Sequence, residues 1–325
     1  MKSIIQRHTR QNNPVAPALA SSNVVRQNLK REKIKIPNFS STNLLKRVET
    51  FTHDREANYY LGFGGLGDAL LLMATCYNDP KAKVIFFANQ IPFINEFFNL
   101  LGIPVYLHEN IMGTKIASHI YNFLKNMPNF RESAHLADGL NYNDWTNENK
   151  YIKRIKNTTD WLTRFGKEQA DKPIAIIAPS GSNKDIKRQR YLNHNEYNQL
   201  VEKTLKNYLV YVVGSVADLH HFKLINKSGF NWLCSDRIYS GDGVSKASNL
   251  KNMLRIINSA EHVLSMDTWL KTYSLLCGIP TTVIKTRWDN HYRNYGEDIT
   301  DWIFLNPNIW SSIKLTTIEA LLATL

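Results

Sequence analysis

Residues Tyr60–Met73 read YLGFGGLGDALLLM. Gly62, Gly64 and Gly67 form a literal G-x-G-x-x-G between a short apolar run and a helix-like one. In that arrangement glycines and a helix N-terminus cradle a dinucleotide pyrophosphate. Working outward, Asn58–Leu61, Val84–Ala88 and Pro104–Leu107 read as strands, and Asp68–Tyr77 and Ile91–Leu101 as the helices between them. A strand near Ser133–Ala137 and a helix near Tyr151–Phe165 complete the unit, which ends at Gly166 and the polar link KEQADKP. The rhythm then repeats: strand Ile174–Ala178, helix His194–Lys206, strand Leu209–Val213, helix Ser248–Ser259, strand His262–Ser265, helix Thr268–Cys277, strand Thr281–Ile284. This alternation predicts an α/β protein with parallel sheets covered by helices on both faces. The expected units are 51–170 and 171–310, with a C-terminal helix over 311–325 and a ligand cleft outside the carboxyl ends of the strands.

The chain has 325 residues, 43% hydrophobic and 11% aromatic, enough to fill two compact cores. Three scattered cysteines, Cys76, Cys234 and Cys277, with no C-x-x-C pair, speak against a disulfide framework or a zinc ribbon and for a reducing compartment. No apolar run approaches the roughly 18 residues of a bilayer-spanning helix, and the residues after Met1 lack a signal-peptide core. A soluble, cytoplasmic protein is expected. The net charge is +12, and residues 1–50 hold ten Lys or Arg against Glu32 and Glu49, a local balance of +8. That segment is poor in apolar periodicity and is expected as a flexible basic arm that brings the chain to a polyanion, be it nucleic acid, an anionic inner membrane face or a phosphorylated glycan. A solubilising leader with no specific partner is the alternative.

The dinucleotide reading of the opening stretch fails in its surroundings. Such a site adds an acidic residue about 20 positions on, at the end of the second strand, to hold the ribose. Here that strand ends FFANQ, and Glu96 lies inside the next helix. Asp68, directly after Gly67, suits a helix N-terminus as a cap, yet would repel a pyrophosphate docked there. Its two roles are a cap, or a base for a different ligand, with Gly64, Gly65 and Gly67 keeping the cleft wall open for an acceptor. Phosphate chemistry is instead concentrated in PSGSNKDIKRQRY. Ser180, Gly181 and Ser182 offer small donors at a strand end, and Lys184, Lys187, Arg188 and Arg190 crowd cations into seven positions. A solvated basic face is the plainer reading of that run. A third element, SMDTWLKTYSLLCGIPT, sets capping residues, Asp267 and Thr268, where a strand gives way to a helix whose N-terminus can also bind phosphate.

In this order, GLGDALLL, PSGSNKDIKRQRY and SMDTWLKTYSLLCGIPTTV resemble the ADP-heptose:lipopolysaccharide heptosyltransferase family and its kin among GT-B glycosyltransferases, over residues 57–286. The resemblance implies two Rossmann-like domains facing a central cleft, an inverting transfer from a nucleotide sugar as co-substrate, and no metal or bound cofactor. It implies Asp68 as general base, Lys187 as a phosphate contact and Asp267 with Thr268 as a phosphate loop. This chain departs from the family pattern at Trp269, where glycine is usual, at Thr272, where histidine is usual, and in having Tyr191 as the nearest aromatic after the lysine motif. Trp269 either crowds the phosphate or offers a stacking face for a base or sugar. Lys187, with Arg188 or Arg190, would stabilise the leaving diphosphate. The acceptor is either a phosphorylated glycan such as lipopolysaccharide core, or hydroxymethylated DNA approached by the arm and by Arg287, Trp288, His291, Tyr292 and Arg293. A catalytically silent binding protein and, more remotely, a nicotinamide oxidoreductase are the competing classes.

Overall fold

A computed structural model describes residues 41–88, 91–109, 111, 114–133, 164–181, 191–266, 268–284 and 313–325. The chain divides into a unit ending at Leu44 and a unit from Leu45 to Leu325 that holds every strand among the described residues. Helix α1 (Ser41–Phe51) begins within the segment expected as a flexible arm, so residues 41–50 are helical, and Val48 on it is fully buried. The rest of that arm lies outside the described residues.

The first sheet is built from β1 (Asn58–Gly64), β2 (Ala82–Ala88), β3 (Val105–Glu109) and β4 (Phe130–Ser133), in the order β3-β2-β1-β4 and wholly parallel. Between them run α2 (Leu66–Cys76), α3 (Ile91–Leu101) and α4 (Lys115–Lys125). The fourth strand meets the expected Ser133–Ala137 only at Ser133, the rest of that expectation lying outside the described residues, and α4 was passed over by the sequence reading. Thr114 starts α4 by accepting from Ala117 N–H, and Ala117, Ile120 and Leu124 make its buried stripe. Of the helix expected near Tyr151–Phe165, only Arg164 and Phe165 are described, and they form a turn.

The second sheet takes β5 (Ile174–Ala178), β6 (Leu209–Val213), β7 (Phe230–Leu233), β8 (Arg237–Ser240), β9 (Ser245–Ala247), β10 (Ala260–Ser265), β11 (Thr281–Ile284) and β12 (Ile313–Thr316). Their order is β12-β11-β10-β5-β6-β7-β8-β9, parallel except for the β7-β8-β9 meander at one edge. Its helices are α5 (His194–Thr204), α6 (Val216–Phe222), α7 (Leu250–Asn258), α8 (Trp269–Leu276) and α9 (Ile318–Thr324). The C-terminal segment expected as one helix is a strand and then a helix. Ile313–Thr316 pairs in parallel with β11, and Thr317 caps α9 by accepting from Ala320 N–H.

The central strand β5, IAIIA, is buried at every position, as a strand covered on both faces must be. Helix α2 is buried at Leu66, Ala69, Leu70, Leu71, Leu72, Met73, Ala74 and Cys76, so it is apolar nearly all round and packs on two sides. One side lies on its own sheet and the other against α8 of the second sheet. A single buried cluster therefore runs from Tyr60 and Phe86 through Leu70 and Phe97 to Met253, Tyr273 and Ile176, while a second cluster fills the far side of the second sheet around Trp232, Tyr197 and Val201.

Candidate functional site

Each sheet has one place where its strand order turns back, between β1 and β4 in the first and between β5 and β10 in the second. Ligands of open α/β sheets bind at the carboxyl ends of strands flanking such a switch point. The chain segments singled out by sequence leave from these strands: the glycine stretch from β1, the cationic loop from β5, and the Asp267–Thr268 turn from β10.

At the end of β1, Gly64 adopts φ +120°, and a Cβ placed on it would overlap Asp68 Oδ2 and stand 2.9 Å from Asp68 Cγ. Gly65 then starts α2 in an extended conformation, and its N–H donates to Asp68 Oδ2 at 2.7 Å. Asp68 thus folds back over the first turn of its own helix and caps it, half-buried. An anion arriving at this helix end would meet that carboxylate, not a bare N–H. The other glycines have steric duties. A Cβ on Gly62 would lie 2.6 Å from Phe86 Cε2 and 2.7 Å from Leu72 Cδ2, so its hydrogen lets α2 close on the sheet. A Cβ on Gly67 would lie 3.4 Å from Thr272 Oγ1 and 3.8 Å from Trp269 Cα. The first turn of α2 therefore faces the first turn of α8.

In the second sheet, Leu192 N–H donates to Pro179 O at 2.9 Å, and Ser180 bridges to Tyr191. The cationic loop consequently leaves and returns at the end of β5. Ser180 is half-buried and Gly181 buried; Ser182, Lys184, Lys187, Arg188 and Arg190 lie outside the described residues, as does Asp267. The neighbouring β10 ends level with this base, since Ser265 pairs with Ala178 and Met266 N–H donates to Ala178 O at 3.1 Å. Thr268 Oγ1 accepts from Leu270 N–H at 3.1 Å and shares a 3.2 Å hydrogen bond with Ser265 Oγ, which also donates to Met266 O at 2.7 Å. Thr268 is the cap that the sequence predicts.

Trp269 is half-buried and packs between two helices. Its ring meets Phe93, Phe97 and Tyr273 edge-on at centroid separations of 5.8, 6.0 and 6.2 Å, joining α8 to α3. Thr272, the other departure, is buried beside Gly67. The sequence reading passed over Lys271, which is buried in the first turn of α8, at a helix end where the dipole disfavours a cation. A lysine three places after the Thr268 cap, the one charge in the helix WLKTYSLL, was the available signal.

Side chains that competing chemistries would need are also placed. Burial pushes the Cys76 and Cys234 thiols up to about 12 and Cys277 well above the ordinary thiol range, so none is a thiolate nucleophile near neutral pH. Among the described residues no group of three or more His, Cys, Asp or Glu is gathered to hold a metal ion, and no helix is long and apolar enough to cross a membrane. Arg287, Trp288, His291, Tyr292 and Arg293 lie outside the described residues.

Parallel sheets with flanking helices and switch-point strand ends define the class: a mixed α/β protein. No protein-family model and no curated protein matches the chain. Among solved structures it is similar to the ADP-heptose lipopolysaccharide heptosyltransferase II of E. coli, with 12% identity, a TM-score of 0.44, and coverage of 82% of this chain and 96% of that one.

Proposed function

We propose that the chain is an inverting, metal-independent glycosyltransferase that moves a sugar from a nucleotide-sugar donor to a hydroxyl of a polyanionic acceptor. The observation carrying this reading is that the first turns of α2 and α8 face one another across Gly67 and Thr272. That apposition sets a carboxylate-bearing helix start and a capped, strand-end helix start at one place. Residues 51–170 serve as the acceptor half and 171–310 as the donor half of a GT-B arrangement.

In this scheme Asp68 accepts the proton of the acceptor hydroxyl as its oxygen bonds to the anomeric carbon, and the bond from that carbon to the diphosphate oxygen breaks. The backbone N–H of Gly65 orients the base, as a third group orients the base of other catalytic sets. Ser180, Gly181, Ser182, Lys187, Arg188, Arg190, Asp267 and Thr268 hold the diphosphate, whose developing charge the cations and the α8 N-terminus stabilise. The capping of α2 by its own carboxylate and the steric duties of Gly62 and Gly67 support this reading over a dinucleotide cradle. The net charge of +12 supports a polyanionic acceptor.

A thermal-shift screen of nucleotides, nucleotide sugars and NAD tests the proposal, since a ligand that binds only the folded chain raises its melting temperature. Stabilisation by one nucleoside diphosphate and its sugar conjugate is expected; a preference for NAD contradicts it. Binding of a nucleotide sugar without transfer to any acceptor identifies a silent binding protein. Salt-sensitive retention of DNA that is lost on deleting residues 1–40 selects DNA over a phosphorylated glycan as acceptor.

A further inference from the structure

Away from the strand ends, a cavity of about 820 Å³ lies along the solvent side of α7. The helix is sharply two-sided: Leu250, Met253, Leu254, Ile256 and Ile257 are buried, while Lys251 and Arg255, one turn apart, face the cavity with Asn252. The opposite wall is the turn Arg164–Lys167. The walls are tied together. Arg255 Nε donates to Glu168 Oε2 at 2.9 Å and its Nη2 pairs with the same oxygen, while Glu168 N–H donates to Ser259 Oγ. Phe165 anchors the turn by burying its ring in the shared core.

Arg164, Lys167, Lys251 and Arg255 line this cavity, and among the described residues no carboxylate lines it. Glu168 matches Arg255, whereas Arg164 donates to a neutral partner, Tyr77 Oη, at 3.3 Å. Arg164, Lys167 and Lys251 therefore bring three positive charges to one hollow beyond that ion pair, an arrangement that repels itself until an anion enters. Asn249, the cap of α7, also lines the cavity, which turns the positive end of the helix dipole toward it. The volume lies within the roughly 300–1,000 Å³ of small-ligand sites.

We propose that this groove binds a small phosphate-rich anion, at a site separate from the switch-point strand ends. The inference rests on no part of the glycosyl-transfer reading. Calorimetric titration of the full chain with inorganic tripolyphosphate tests it. Binding at low salt that weakens as salt rises is expected. The Lys167→Ala/Lys251→Ala double variant should lose on the order of 100-fold in affinity, since each charge-assisted contact is worth about tenfold or more. Both lysines are exposed, so the melting temperature should not move. Lys187→Ala should leave the binding event that the double variant removes within about twofold, any second event at the loop proposed to hold the donor diphosphate being the one it weakens. The inference is overturned if the wild-type chain takes up no tripolyphosphate, or if Lys187→Ala abolishes binding that the double variant retains. A control pair at exposed Lys81 and Lys206 that weakens binding equally also overturns it.

Discussion

Replacing Gly64 by alanine sets two costs side by side that a double-mutant cycle separates. The first is backbone strain: φ at Gly64 is +120°, a region closed to most L-residues, at about 1–3 kcal/mol. The second is displacement of Asp68, because the new Cβ overlaps Oδ2 and sits 2.9 Å from Cγ, ending the hydrogen bond that Gly65 N–H donates. A hydrogen bond to a charged group contributes about 1.5–3 kcal/mol. Gly64→Ala should thus destabilise by about 2.5–6 kcal/mol, a large share of a domain's usual margin. In an Asp68→Ala background the carboxylate is gone, and the same substitution should cost the strain alone. The expected coupling is about 1.5–3 kcal/mol. Gly65→Ala, whose Cβ would lie 3.8 Å from Oδ2, is the matched control and should show little coupling. Urea denaturation with unchanged m-values measures all six chains. Additivity within about 0.5 kcal/mol for Gly64 and Asp68 would refute the placement of the carboxylate over that glycine.

Trp269→Ala should cost about 3 kcal/mol by emptying the ring cluster with Phe93, Phe97 and Tyr273, and Trp269→Phe less than about 1.5 kcal/mol; thermal melts decide, and an unaffected alanine variant would place the ring in solvent. Gly67→Leu should destabilise by about 1–3 kcal/mol because α2 and α8 are already in contact there, and an unchanged melting temperature would show that these helices stand apart. Alkaline stability supplies a further check. Cys76 and Cys234 titrate near 12 in the fold against 9.0 ordinarily, so their contribution is intact below pH 9 and is lost as pH climbs from there toward 12. A Cys76→Ala/Cys234→Ala variant should lose less stability over that window than the parent, the remaining fall coming from Cys277 and from tyrosines such as Tyr273 that burial also pushes up; identical profiles contradict it.

Segments whose composition demands burial were the legible ones. The strands IAIIA and LVYVV and the helix IPFINEFFNLL have the bounds expected of them, because continuous apolar runs and a strong apolar face leave one solution. The meander RIYS and SKA pairs with its chain neighbours, but its strands are only four and three residues long, too short to show a period. At the site, Asp68 was legible as a helix-start carboxylate. What each glycine does was not, since that depends on Phe86, Thr272 and the carboxylate itself. The packing of Trp269 was not legible for the same reason: its partners Phe93 and Phe97 belong to a helix far back in the chain. The burial of Lys271 likewise accompanies the packing of α8 between α2 and the second sheet.

The most direct test of the proposed glycosyl transfer is single-turnover sugar transfer by Asp68→Asn. Asparagine keeps an oxygen to accept from Gly65 N–H, so the cap of α2 and donor affinity should persist while the base is lost. The account predicts a fall in transfer rate on the order of 100-fold or more with donor affinity unchanged and the chain still folded, its melting temperature lowered only by the loss of the charge from the cap. Transfer at the wild-type rate by that variant would contradict it.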